Sequence, residues 1–173
     1  MIMIRQEEAA DVAAIEALLD EGFGPDRRRK TAQRLRDGRR PADGLALVAV
    51  EDGRVVGTIR LWHVMAGNVP ALLLGPVAVV ADRQGSGIGA RLVRQSIARA
   101  LGRGHKAVIL VGDAPYYARF GFARRHTVNL EMPGWVDERR FLGLELTAGA
   151  LKLARGMVRP SGDFAVPAAA RAA

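Results

Sequence analysis

A chain of 173 residues, 49% of them hydrophobic, has the apolar material for one core and a length that a single domain fills. It contains no cysteine, which excludes disulfides, thiolate metal sites and a cysteine nucleophile, so any thiol in its chemistry belongs to a bound molecule. A formal net charge of +8 raises the question of nucleic acid, but the arginines are scattered and only Arg27-Arg28-Arg29-Lys30 forms a dense run, which a solvated helix face explains. Nucleic acid is therefore not the favoured partner, and an anionic small ligand is equally compatible with the charge. No run approaches the roughly 18 apolar residues that span a bilayer, and the start at Met1 lacks the basic-then-apolar pattern of a secretory signal. A cytoplasmic protein, with neither membrane nor metal, is expected.

The first residues, 1–5, are apolar and β-compatible. Val12, Ile15, Leu18 and Leu19 then recur at helical spacing, and Gly22 and Gly24-Pro25 end that helix. A second, more polar helix is expected over residues 27–36, with Asp26 as its N-cap and Gly38 and Pro41 beyond its end. Residues 45–50 and 55–64 flank Asp52-Gly53, a dipeptide that suits a type I′ turn, and read as an antiparallel hairpin. Residues 71–80 are almost wholly apolar, as a strand buried on both faces requires. Gly75-Pro76 predicts an irregularity just before Val77-Ala78-Val79, because proline has no ladder donor and glycine marks bulges. Ile88, Leu92, Val93, Ile97 and Leu101 mark one face of a helix that stops at Gly102 and Gly104, and residues 107–111 form another buried strand. Strand, glycine turn, helix and strand make a βαβ-like unit with a right-handed crossover. A short Tyr-rich helix over 114–120 follows, then strand-like pieces over 124–130 and 142–147, and an Ala/Pro-rich tail from Pro160.

The segment Gln84-Gly85-Ser86-Gly87-Ile88-Gly89-Ala90 carries the most chemistry. Glycines ahead of a helix let the backbone approach an anion closely, and the helix's first unpaired N–H groups point at it, a geometry that suits a pyrophosphate. A Walker loop is excluded, since no Gly-Lys-Ser or Gly-Lys-Thr follows. Gly85, Gly87 and Ala90 satisfy the dinucleotide fingerprint, and Asp113 stands at the end of the next strand, where a ribose-binding acid belongs. Against that reading, the turn lies mid-chain behind a hairpin, and too little chain follows Asp113 for a second mononucleotide-binding half.

Arg83-Gln84-Gly85-Ser86-Gly87-Ile88-Gly89 resembles the acetyl-CoA loop of the GNAT superfamily of N-acetyltransferases, with Gln84, Gly87 and Gly89 at the pattern positions. Tyr116-Tyr117-Ala118-Arg119-Phe120-Gly121-Phe122 is similar to that superfamily's Tyr-x-x-x-Gly-Phe signature, and the two motifs have the expected order and separation. The stretch from Leu74 to Phe122 looks particularly like the YhbS-like branch. The resemblance implies an α/β (α+β) fold: one GNAT-like domain over residues 1–159 and a flexible tail over 160–173. Its central sheet is mixed and mostly antiparallel, flanked by helices, with a splayed strand before the CoA-binding loop.

The resemblance also implies a division of labour. Backbone N–H groups of Gln84, Gly85, Ser86, Gly87, Ile88, Gly89 and Ala90 hold the pyrophosphate of acetyl-CoA, and the pantetheine arm lies along Val77, Ala78 and Val79. The N–H of Val79 polarises the thioester carbonyl, and Tyr117 protonates the departing sulfur. Arg83, Arg91 and Arg94 are further phosphate candidates, beside the plainer reading of ordinary exposed arginines. Without the glycine loop, the aromatic cluster reads as core packing. No general base has a motif: residues 71–80 hold no acid where many family members carry a glutamate, and His63, Glu131, Asp113 and Glu145 are candidates by chemistry alone. Asp113 reads best as a helix cap.

The expected acceptor is a primary amine of a small molecule or a protein, shaped by residues 21–40 and 131–145, including Trp135, Arg139 and Arg140, whose basic character hints at an acidic or carboxylate-bearing acceptor. The alternative function is a non-catalytic acyl-CoA-binding or sensor module. A hydrophobic strand near the C-terminus offers a surface for a homodimer.

Overall fold

The hairpin around Asp52-Gly53 sets the sheet in the computed structural model, which describes residues 1–165. The turn has positive φ at both central residues, 48° at Asp52 and 77° at Gly53, as a type I′ turn requires. Strands β1 (Ile2–Gln6), β2 (Ala46–Glu51), β3 (Arg54–Ala66) and β4 (Val69–Val79) pair antiparallel in succession. Helix α1 (Val12–Phe23) connects outward from β1, and α2 (Ile88–Gly102) leads from β4 to the parallel strand β5 (Ala107–Val111). After α3 (Ala114–Ala118) come β6 (Leu130–Glu131), β7 (Phe141–Glu145) and β8 (Gly156–Pro160). The path runs β1-β2-β3-β4-β5-β7. Because β3 outruns β2, β8 takes the edge at Val64–Ala66 and also pairs with β6.

Strand alternation builds two layers of core. Leu47 and Ala49 pack with Leu92 and Val93 of α2, whereas Val48 and Ala78 pack with Ile15, Leu18 and Leu19 of α1. Burying each such aliphatic side chain contributes about 1.5–3 kcal/mol, and the helices are held by these stripes more than by propensity. Two expected stripe members lie outside: Val12 is 43% and Leu101 54% exposed, and Ala100 occupies the buried position.

Three expected elements differ. The polar helix over 27–36 is instead two 3₁₀ turns, Pro25–Arg29 and Thr31–Leu35, broken by extended backbone at Lys30 (ψ 144°). Only Leu35 of the pair is buried, too little apolar face for an α-helix, and Asp26 sits within the first turn rather than at its cap. The strand expected over 124–130 is a 3₁₀ turn, Arg124–His126, followed by the two residues of β6. The buried Thr127 hydroxyl donates to the Phe141 carbonyl at 2.6 Å, and Arg124 reaches the Thr127 carbonyl at 3.1 Å, bonds that fix the turn. The tail expected to loosen from Pro160 stays docked through Ala165: Arg40 N–H donates to Asp163 at 2.8 Å and Ala165 N–H to Gly38 at 2.9 Å. The rest of that tail lies outside the described residues.

One irregularity positions everything that follows. β4 and β5 pair only at Leu72↔Val108 and Leu73↔Ile109, although both strands continue. Opposite this point the β3–β4 register shifts between Ile59 and Leu61, and Gly75 takes φ 132°, a backbone conformation that side chains disfavour. The indole N–H of buried Trp62 donates to the Gly75 carbonyl at 2.6 Å and pins the bulge. Beyond it β4 leaves β5, and the sheet opens as a wedge.

Candidate active site

The glycine turn forms a cradle. Gly85 (φ 79°) and Gly87 (φ 85°) are left-handed, and a Cβ at either would meet nothing within 4 Å, so the backbone there faces open space. The first helical bond of α2 runs from Arg91 N–H to the Gly87 carbonyl at 3.0 Å, which leaves the N–H groups of Ile88, Gly89 and Ala90 without a carbonyl partner among the described residues. Gln84 and Ser86 turn their own N–H groups inward, to Ala81 and Arg83, each at 3.4 Å. The Gln84 amide donates to the Val79 carbonyl at 3.3 Å, tying the cradle to the end of β4. Ile88 is buried and anchors the helix start. The helix dipole adds partial positive charge where these donors converge.

The wedge presents a matching edge. Val80 N–H bonds the Val56 carbonyl on β3 at 2.9 Å. Successive residues of a strand present their backbone groups to opposite sides, so Val79 and Val77 direct theirs toward the open β5 side and Ala78 directs its own to β3. Of the three residues expected beside a pantetheine arm, two therefore offer backbone groups, and Ala78 contributes its buried side chain to the α1 layer.

The wedge leads into a cavity of about 870 Å³ lined by Leu74, Gly75, Pro76 and Val77 of β4, Val111 and Gly112 of β5, and both tyrosines of α3. The tyrosines diverge, with rings 5.0 Å apart and 89° to one another. Tyr117 packs over Gly112, where a Cβ would come within 2.5 Å of its ring, and against Phe122 at 5.8 Å. Tyr116 places its hydroxyl 3.4 Å from the Cβ position of Gly89, over the cradle. Burial, then the neighbouring Tyr116, pushes the Tyr117 phenol up to about 12, against a smaller downward pull from Arg140.

The pattern of the acetyltransferase (GNAT) family matches residues 12–122. The chain belongs to the GNAT acetyltransferase family. It is 32% identical to the uncharacterized N-acetyltransferase YhbS of Escherichia coli over 165 residues, 91% of this chain and 95% of that protein. The crystal structure of E. coli YhbS in complex with CoA matches its fold with a TM-score of 0.73 at 29% identity, covering 92% of this chain and 89% of that one. A GNAT family acetyltransferase from Brucella melitensis, solved in complex with acetyl-CoA, matches with a TM-score of 0.65 at 31% identity over 98% and 97% of the two chains.

Within this GNAT domain the four candidate bases separate. His63 stacks near His105 at 5.5 Å, and neither lines the cavity. Glu131 is exposed and outside it. Glu145 lies at a second, smaller cavity with His126 and accepts from Leu151 N–H at 2.8 Å, a bond that holds its carboxyl below the usual range. Asp113 lines the main cavity, yet its carboxylate accepts from Tyr116 N–H at 3.0 Å as the cap of α3. The three arginines near the cradle are also engaged: Arg83 with Glu51 at 2.6 Å, Arg91 with the Ile2 carbonyl at 3.3 Å, and Arg94 over Phe120 at 5.2 Å.

The cavity's far wall comes from the two segments expected to shape an acceptor, 21–40 and 131–145, although Arg36 was not singled out within them. Thr31 donates to the Trp135 carbonyl at 2.6 Å and Arg34 to the Pro133 carbonyl, so the 3₁₀ segment and the loop before β7 close over the cavity together. Trp135 is 84% exposed at its mouth. Lys30, Arg36 and Arg140 also line the cavity, Arg36 half-buried and the other two exposed. Arg36 had the signal of a solvated helix end, and only the 3₁₀ geometry turns it inward.

Proposed function

We propose that this protein transfers an acetyl group from acetyl-CoA to an amine by direct attack within a ternary complex. The observation that carries the reading is a succession along one strand: the glycine cradle follows the free edge of Val79 and Val77, and Val77 in turn lines the cavity that Tyr117 also lines. Acetyl-CoA supplies the thioester. The unpaired N–H groups of Ile88, Gly89 and Ala90 receive the pyrophosphate, while Val77 and Val79 pair with the amides of the pantetheine arm as with a short added strand. Because the arm runs from the cradle past Val79, the N–H at the far end of the edge, that of Val77 rather than that of Val79, is the one placed to donate to the thioester oxygen, where negative charge develops. Tyr117, whose phenol is pushed up to about 12, keeps its proton at neutral pH and donates it toward the sulfur as charge builds there.

The amine must arrive neutral. An alkyl ammonium with a pKa of about 10.4 is neutral in only about one molecule in 10³ to 10⁴ at pH 7. Both carboxylates lining the cavity are engaged, Asp113 with Tyr116 N–H at 3.0 Å and Asp137 with Arg139 at 3.0 Å. Lys30, Arg36 and Arg140 supply a different device, since their positive field lowers the ammonium's pKa and selects the neutral form. The proton leaves through water at the mouth beside Trp135.

The same lack of a disengaged base favours a second reading, a non-catalytic acyl-CoA-binding module. Titration with acetyl-CoA, followed by thiol release over a panel of amines, separates the two. Binding with amine-dependent release is expected. Tight binding with no release on any amine selects the module, and a failure to bind removes both readings.

A further inference from the structure

The cavity's cations differ in how they are matched. Arg27 is held by Asp20 at 2.8 Å and by Glu16, Arg29 faces Asp26 at 3.8 Å, and Arg34 reaches the Pro133 carbonyl. Lys30, Arg36 and Arg140 make no ion pair among the described residues. Lys30 lies over the Phe23 ring at 4.7 Å, a contact that leaves its charge unneutralised. Arg36 is the extreme case: the residue is half-buried, and its buried Nε has no hydrogen-bond partner among the described residues. Burial, then Arg140 and Arg36, push the Lys30 ammonium down, and burial, opposed in part by the neighbouring Asp37 carboxylate and helped by Arg27, pushes Arg36 down to about 10. A largely desolvated guanidinium without an ion pair is costly, and an anion bound in fork geometry is what offsets that cost.

Its place along the wedge says which molecule brings the anion. A chain of backbone groups runs from the cradle through Val79 to Val77, and Gly75 lies two residues further, about 7 Å at strand rise. Arg36 Nη2 stands 3.9 Å from the Cβ position of Gly75, beyond the end of that path and on the far side from the pyrophosphate donors. The charge therefore faces the acceptor rather than the phosphates of the donor.

We propose that the acceptor amine carries a carboxylate or phosphate group, bound by Arg36 at the Gly75 bulge with Lys30 and Arg140 completing the anion pocket. The inference rests on the acetyltransferase reading for the amine and on the cavity alone for the anion. The anion draws the acceptor into the cationic cavity, and the same field then keeps its amine neutral.

The test compares γ-aminobutyrate and phosphoethanolamine with n-butylamine and ethanolamine, using the full chain. One readout is thiol release with acetyl-CoA; the other is thermal unfolding with each amine alone. An anionic acceptor is expected to show a kcat/KM at least about tenfold above its neutral counterpart, one good charge-assisted contact, and to raise the unfolding temperature. The larger response of the two anions identifies the group. In Arg36→Met the preference is lost through KM, acetyl-CoA affinity is kept, and the unfolding temperature does not fall. Neutral amines used as well as anionic ones, with no anion raising the unfolding temperature, would overturn the proposal. So would a preference that survives Arg36→Met, or a loss of acetyl-CoA affinity in that variant. If Arg36→Met does not fold, the pair Lys30→Ala and Arg140→Ala, both at exposed positions, takes its place with the same expected loss. If no amine is turned over, the acetyltransferase reading fails, while the thermal response to γ-aminobutyrate or phosphoethanolamine, and its loss in the variant, still decides the anion site.

Discussion

The two walls of the cavity are built from different material. The cradle and wedge consist of backbone: unpaired N–H groups at the start of α2 and the open edge of Val77 and Val79. The facing wall consists of side chains, Lys30, Arg36 and Arg140, carried on 3₁₀ turns and the segment before β7. A backbone wall recognises a group that every peptide edge or helix start can hold, and tolerates change in its neighbours. A side-chain wall recognises whatever its particular residues face, and can be rewritten by single substitutions. On the proposed function, the constant half of the reaction belongs to the first wall and the variable half to the second.

Tyr117 is the side chain on which the backbone wall depends, and its removal gives the largest expected effect. Tyr117→Phe should lower kcat by about 10²-fold or more, the usual worth of a positioned proton donor, with acetyl-CoA affinity intact. An unchanged kcat would mean that backbone groups alone perform the chemistry and that the ring is packing against Phe122. The backbone wall itself breaks at Gly87. With φ at 85°, a valine there is strained by more than the ~1–2 kcal/mol of an ordinary left-handed residue and its branches enter the cradle. Gly87→Val should weaken acetyl-CoA binding by about ten- to a hundredfold, measured by titration, while leaving the thermal response to anionic amines unaltered. If that response disappears too, the two walls are not independent.

Trp62→Phe sharpens the comparison from below. The variant removes the donor to the Gly75 carbonyl and leaves a buried acceptor unsatisfied, at a cost of about 1–3 kcal/mol in unfolding free energy. Because the bulge sets both the wedge and the position of Arg36, acetyl-CoA affinity and the anion response should weaken together. A loss of stability that touches neither would make Trp62 a core residue and nothing more.

The same contrast explains what could be read in advance. Asp52-Gly53, the apolar run of β4 and the Gln84-to-Ala90 turn were legible because each is a local conformational demand written in glycine, proline or apolar spacing. The bulge at Gly75-Pro76 was legible for the same reason. Arg36 was not, because a run of arginines without apolar period looks alike whether it coils as a solvated helix or folds inward as two 3₁₀ turns. The bonds that fold its segment inward, Thr31 to the Trp135 carbonyl and Arg34 to the Pro133 carbonyl, join residues about a hundred apart in sequence, and no spacing rule links them. Thr127 shows a similar limit: a β-branched residue in a strand-like stretch went instead to a buried side-chain bond with Phe141. The tyrosines needed both levels, since a helix separates their directions but only packing over Gly112 shows that Tyr117 turns into the core and Tyr116 toward the cradle.

The smallest predicted effect concerns pH. A folded-state pKa raised from 10.0 to about 12 favours the neutral phenol in the native protein, so its contribution to stability is fully present below the unfolded pKa and is lost as pH rises through about 12. The Tyr117 phenol, the proposed donor, accordingly remains protonated where an ordinary tyrosine would begin to fail. At about pH 10.5 an unperturbed phenol keeps its proton in only about a quarter of molecules, so the ratio of wild-type to Tyr117→Phe rates would drop about fourfold on approach to that pH. The expected ratio is flat, and taking the ratio cancels the deprotonation of the amine and of Arg36, which both rates share. A fourfold fall near pH 10.5 would show that the phenol is solvated when it acts, and that the wedge stays open to water during transfer rather than closing around the arm that fills it.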